Sequence, residues 1–127
     1  MKTKLVKMDA LKEAGEIIRA GGLVAFPTET VYGLGADAMN SEAAAKIYAA
    51  KGRPSDNPLI VHIADMEQVD LVAENVPDQA RKIMEAFWPG PLTVILNKKE
   101  TVPDGTTGGR KTVAVRMPSH PGARALI

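Results

Sequence analysis

Cysteine is absent from this chain of 127 residues, and histidine occurs only twice. Disulfides and thiolate metal sites are therefore excluded, and too few ligands remain for a structural zinc. The same absence permits a reducing, cytoplasmic setting. An excess of one charge is also lacking, because 16 Lys and Arg face 15 Asp and Glu for a net +1. No global basic field announces nucleic acid, and any positive patch must be local. No apolar run approaches the roughly 20 residues that span a bilayer, so no membrane partner is expected. The cationic start, Met1 to Lys7, runs into Asp9, Lys12 and Glu13 instead of an apolar segment, which is not the pattern of a signal peptide. A P-loop is missing too. What is present is 45% hydrophobic and 24% charged residues, the composition of a soluble globular protein with one core, read as a single domain over residues 1–127.

Along the chain, Asp9 is placed to cap a helix carrying Leu11, Ala14, Ile17 and Ile18 on one face, with Gly21-Gly22 to end it. A strand follows from Leu23 to Phe26. Ser41 caps an alanine-rich helix that stops near Lys51-Gly52. Leu59 to Ile63 reads as a strand buried on both faces. Helices are expected over Asp65 to Ala73 and Pro77 to Phe87, the latter ended by Trp88-Pro89-Gly90-Pro91. Strands follow over Leu92 to Leu96 and Thr112 to Met117, with Thr101 to Arg110 between them as a mobile, Gly- and Thr-rich loop. A short helix is expected from Pro121 onward. It stops after about one turn, which gives the domain the look of being incomplete at its C-terminal end.

The segment Phe26-Pro27-Thr28-Glu29-Thr30-Val31-Tyr32-Gly33-Leu34-Gly35 takes an apolar strand through a proline into hydroxyls and a carboxylate. Proline gives no N–H to a ladder and biases its predecessor toward extended backbone, so the strand ends at Phe26 and a shaped loop follows. In open α/β sheets, ligands sit beyond such strand ends. Glu29 is a candidate general base or magnesium contact, or it orients the loop through local hydrogen bonds. Lys51-Gly52-Arg53-Pro54 combines a point charge and a planar fork suited to phosphate oxygens, although Lys51 could simply complement the helix dipole and Arg53 be solvated. Asn57 before Pro58 is a turn former or a ligand contact. His62, inside an apolar strand, is a hydrogen-bonded core histidine or a ligand contact, while His120 reads as a loop residue. Arg116 alternates with Val113 and Val115, so it reaches solvent or pairs with a buried anion such as a substrate carboxylate. Gly33-Leu34-Gly35-Ala36-Asp37-Ala38 fits G-x-G-x-x-A only weakly, because Pro27 to Tyr32 separate it from its strand. Trp88 is read as a packing residue at a helix-to-strand corner.

Taken in order, Pro27 to Leu34, Lys51 to Pro54, Asn57-Pro58-Leu59, His62, Trp88 to Thr93 and Val113 to Pro118 resemble the Sua5/YciO/YrdC family. The resemblance implies an α/β fold, a twisted open mixed sheet with flanking helices in the YrdC-like (RibB-like) architecture. It also implies L-threonylcarbamoyladenylate synthase activity, a nucleotidyl transfer serving t6A modification of tRNA. The expected substrates are L-threonine, bicarbonate and ATP, the last accompanied by Mg2+. By the match of motifs, Thr30, His62 and Arg116 belong to the threonine site, with Arg116 on the α-carboxylate. Lys51, Arg53, Asn57 and Thr112 belong to the ATP site, Lys51 and Arg53 are catalytic, and no residue ligates a metal. The implied partners are tRNA or double-stranded RNA and downstream threonylcarbamoyl-transfer proteins. Family members continue past the point where this sequence stops.

Two other readings compete. One is a non-catalytic RNA-binding module built on the same cationic concavity. The other is the carbamoyl-adenylate-forming domain of hydrogenase maturation proteins, which normally accompanies cysteine motifs not found here.

Overall fold

The structure, a computed structural model, describes residues 3, 5, 11–52, 54 and 58–127. The expected cap Asp9 lies outside the described residues, as do Arg53 and Asn57. Helix α1 (Leu11–Arg19) is closed by hydrogen bonds from Gly21 N to Ile18 O (3.0 Å) and from Gly22 N to Ile17 O (2.9 Å), the paired pattern that satisfies the last carbonyls of a helix. Strand β1 (Val24–Phe26) then pairs antiparallel with β2 (Gly33–Gly35), Phe26 opposite Gly33 and Val24 opposite Gly35. The sequence gives no sign of β2, since its residues have little strand propensity. Its glycines serve the Phe26 ring: a Cβ on Gly35 would lie 2.6 Å from Phe26 Cε1. The hairpin exists because the glycines leave room for that ring, so these glycines are not a dinucleotide turn.

Helix α2 (Ser41–Lys51) starts one residue earlier than expected. Asn40, not Ser41, is the cap, and its Oδ1 accepts from Glu42 N (3.0 Å) and Ala43 N (3.2 Å). Asn40 holds the extended backbone a cap requires (φ −115°, ψ 108°), whereas Ser41 is already helical. Ala43, Ala44, Ile47 and Tyr48 form its buried face. At the other end Gly52 takes the left-handed conformation (φ 63°), which terminates the helix directly after Lys51.

The main sheet has three strands in the order β3 (Ile60–His62), β5 (Thr112–Arg116), β4 (Thr93–Asn97), with β3 parallel and β4 antiparallel to β5. A 3-10 turn (Met66–Gln68), the short helix α3 (Val69–Val72) and α4 (Asp78–Phe87) cover one side. The expected helix from Asp65 to Ala73 is thus present as a 3-10 turn running directly into α3, with Gln68 Oε1 accepting from Ala64 N at 2.6 Å. Val61, Leu96, Val113 and Val115 point into this layer and form one core with Val69, Val72, Met84, Trp88 and Val102. Trp88 sits at the corner before β4, 8% exposed, with its indole N–H donating to Leu92 O at 2.8 Å. Its peptide bond to Pro89 is cis.

The opposite side of the sheet carries Ile60, His62, Thr93, Ile95, Asn97, Thr112, Ala114 and Arg116, the alternate residues of each strand. This corrects the expectation that β3 is buried on both faces: Ile60 is 47% exposed and Ile95 69%. Thr101 to Arg110 is not a loose loop either. Val102, Thr106 and Thr107 are buried, Thr106 donates its hydroxyl to Ala38 O (2.7 Å), and Leu59 N donates to Thr106 O (3.1 Å). The threonines make the segment a bridge between α2's approach and β3. Last, α5 (Pro121–Leu126) packs on α1, and Ala14, Phe26, Ala123 and Leu126 form a second, smaller cluster. His120 is its cap, with Nδ1 accepting from Gly122 N (3.0 Å) and Ala123 N (3.4 Å), a role that reading it as a loop residue missed.

Candidate functional site

Between the hairpin, α2 and β3 lies a cleft of about 590 Å³. Phe26, Tyr32, Leu34, Leu59 and Ile60 supply much of its wall, with Lys51 and His62 among its polar lining. A largely apolar pocket with a few placed polar groups is the usual form of a small-molecule site. The turn that ends α2 puts Lys51 at this cleft, exposed at the helix terminus. Strand alternation turns Val61 into the core and His62 to the open face, and both line the cleft, which runs along the edge strand β3.

His62 and Arg116 are register partners on adjacent parallel strands. The imidazole Nδ1 lies 3.3 Å from Ile60 O and can only donate to that carbonyl, which leaves Nε2 as the acceptor. Its ring meets Phe26 edge-on at 6.1 Å. Burial, the largest influence, pushes the His62 pKa below its ordinary value, with the Arg116 charge adding to it, and outweighs the opposing Ile60 hydrogen bond and Glu29 charge, so the ring is neutral at pH 7.

Arg116 has found an anion within the chain: its Nη2 donates to Glu29 Oε1, and the two side chains are 12% and 20% exposed. Glu29 Oε2 accepts from Ser119 N at 3.2 Å, so the carboxylate ties the β1–β2 loop to the end of β5. Burial alone would raise the Glu29 pKa, but the hydrogen bond and charge of Arg116, with backbone N–H groups, hold it below its ordinary value. A carboxylate held ionised in this way is a poor general base at neutral pH. The sequence offered the two halves of this pair separately, an arginine flanked by apolar residues and a lone acid in a polar loop, with 86 residues between them and nothing local to join them.

Thr30, beside Glu29, is exposed in the same loop and lies 3.1 Å from Thr28 Oγ1. Thr28 gives its own proton to Val31 O (2.6 Å), so the Thr30 hydroxyl is the donor between them. Thr112 opens β5 on the same face as Arg116, four residues away, which is roughly 13 Å along a strand. The structure therefore gathers Glu29, Thr30, His62 and Arg116 at one end of the open face and sets Thr112 toward the other. Lys51 and His62 share the cleft, whereas Thr30, Thr112 and Arg116 are not part of its wall. Among the described residues no cluster of three His, Cys, Asp or Glu is arranged to hold a metal. No described helix is long and apolar enough to cross a membrane.

A half-open α/β sheet with a cleft at its rim has the form that small-molecule sites take in α/β proteins. The Sua5/YciO/YrdC family model, described as "Telomere recombination", matches residues 16–127, and the chain belongs to that family. It is 56% identical over 117 residues to the threonylcarbamoyl-AMP synthase of Pyrococcus abyssi, an alignment covering 92% of this chain and 34% of the relative. The threonylcarbamoyl-AMP synthase of Bacillus subtilis is 54% identical over 118 residues, covering 92% and 34%. The crystal structure of P. abyssi Sua5 complexed with L-threonine superposes with a TM-score of 0.92 at 52% identity, covering 98% of this chain and 36% of that one. The chain spans about a third of the length of these relatives.

Proposed function

We propose that this chain carries the substrate site of a threonylcarbamoyl-AMP synthase, acting in the cytoplasm on the path to t6A in tRNA. The observation that supports the reading best is the half-buried Arg116 on the open face, register partner of the cleft residue His62, in a chain 56% identical to a threonylcarbamoyl-AMP synthase. L-Threonine, the ligand named for P. abyssi Sua5, would place its α-carboxylate on Arg116 and its hydroxyl toward Thr30 and His62. The amine, in its neutral form, takes up bicarbonate carbon with loss of water to give a carbamate. A carbamate oxygen then attacks the α-phosphorus of ATP as the bond to the β-phosphate bridging oxygen breaks, giving threonylcarbamoyl-AMP and pyrophosphate. Phosphoryl transfer of this kind depends on positioning and charge neutralisation more than on covalent help.

Lys51 supplies a positive charge at the cleft for the phosphates. Arg53 and Asn57, by motif, and Thr112, at the far end of the open face, take the nucleotide. Magnesium enters bound to ATP as part of the substrate. The product passes to threonylcarbamoyl-transfer proteins that act on tRNA.

The test is incubation of the protein with MgATP, L-threonine and bicarbonate, following pyrophosphate release and the adenylate by mass spectrometry. Lys51→Ala should slow pyrophosphate release about 10- to 150-fold, the worth of a charge-assisted phosphate contact, with circular dichroism unchanged. Arg116→Ala should weaken threonine binding far more than ATP binding, and Arg116→Lys should restore only part of it, because an ammonium cannot form the planar fork. Tight binding of a short RNA duplex with no adenylate formed would overturn the reading in favour of an RNA-binding module.

A further inference from the structure

The two walls of the cleft are not joined by a sheet. β2 pairs with β1 and β3 with β5, so among the described residues no backbone ladder runs from the hairpin to the main sheet. With no ladder to set it, the separation of the walls depends on individual bonds between them. One residue touches both. Thr106, 2% exposed, lines the cleft, as do Ala38 on the hairpin side and Leu59 at the entry to β3. Its hydroxyl donates to Ala38 O at 2.7 Å, and its carbonyl accepts from Leu59 N at 3.1 Å.

The residue is itself held in place. Thr106 N donates to Pro103 O at 3.0 Å and Thr107 Oγ1 donates to Arg110 O at 2.9 Å, so the segment keeps its shape by its own bonds. It also lies hard against the start of α2, since a Cβ on Gly105 would come within 2.8 Å of Ser41 Oγ. A hydroxyl this buried has no water to turn to, and losing its bond would leave Ala38 O without that donor. We infer that Thr106 is a positioning residue that sets the width of the cleft, through one bond to each wall, and so governs how closely the cleft fits what binds there. Where it concerns ATP the inference rests on the nucleotide reading above, whereas the width itself does not. Thr30 and Arg116 are not part of the cleft wall, so threonine binding is expected to be insensitive to Thr106.

The chain has no cysteine, so Glu42→Cys on α2 and Glu67→Cys in the 3-10 turn after β3, both at exposed positions, give a unique pair of spin labels. Double electron–electron resonance should show one narrow distance in the labelled protein and a longer or broader distribution when Thr106→Val is added. Thr106→Ser, which keeps the hydroxyl, should restore the narrow distance. An unchanged distribution in Thr106→Val overturns the inference. Thr106→Val should also bind MgATP about 5- to 10-fold more weakly, the worth of one buried hydrogen bond, with threonine affinity kept and Thr106→Ser close to the unaltered protein. A variant that only melts sooner, with both affinities intact below its transition, makes the threonine merely structural and overturns the inference. In the unaltered protein the Leu59 amide should exchange with deuterium as slowly as those of β5, and exchange well ahead of them overturns the inference even where Thr106→Val does not fold. No binding of MgATP to the unaltered protein overturns the nucleotide reading and the link to ATP with it, and the label distances then decide the width alone.

Discussion

Gly35 has no room for a side chain, because the Phe26 ring occupies the place where a Cβ would go, 2.6 Å from Cε1. Gly35→Ala should cost about 1–3 kcal/mol through overpacking at the hairpin, read as a lower denaturant midpoint with an unchanged slope. His62 makes a different residue-scale prediction. Burial, chiefly, holds its folded pKa below the ordinary 6.5, so between those values the unfolded chain binds the proton and the folded chain does not. Stability therefore falls as pH drops through that window and levels off below the folded pKa. Melting temperatures from pH 7.5 to 5 should decline in the unaltered protein and decline less steeply in His62→Gln. Glu29, whose folded pKa is also lowered, adds its own loss at more acid pH, below its ordinary 4.5. That Arg116 either reaches solvent or pairs with an anion was legible in the sequence, from its place beside core valines. That the anion inside the chain is Glu29 was not, because pairing across the whole fold leaves no trace in local spacing.

At the level of elements, β5 separates what burial does from what exposure does. Val115 is fully buried between β3 and β4, and Ile95 stands 69% exposed on the other face of the same sheet. Val115→Ala should destabilise by about 2–3 kcal/mol through lost burial and a cavity, whereas Ile95→Thr should shift stability by no more than about 0.5 kcal/mol. Chemical denaturation of the two variants side by side checks the assignment of faces. Strong local signals carried through: the alanine-rich helix, the helix before Trp88 and the strands around Val61, Leu96 and Val113 all lie where periodicity puts them. Two elements escaped. β2 is made of glycines whose value lies in what they lack, and Thr101 to Arg110 looks polar and loose until its threonine hydroxyls are seen to bond Ala38 O and Arg110 O. In both, tertiary partners decide the conformation and local composition does not.

On the scale of the molecule, the fold has two centres of burial of unequal size. The larger joins the sheet to α3 and α4 around Met84, Val102 and Val115. Among the described residues the smaller is built on Ala14, Phe26, Ala123 and Leu126, with Leu11, Ile18 and Val24 packed against them, and it draws α1 from one end of the sequence onto α5 from the other. The cleft lies between these bodies, with Phe26 and Leu126 on one side of its wall and Val61 and Val72 on the other. Unequal burial means unequal cost of opening. Amide protons of α1, β1, β2 and α5 should exchange with deuterium together and ahead of those in β3, β4 and β5, as one unit that unfolds while the sheet stays closed. The loop that carries Glu29 would then part from β5, which carries Arg116, without global unfolding, and a ligand bridging the two should slow exchange in the smaller unit more than in the larger.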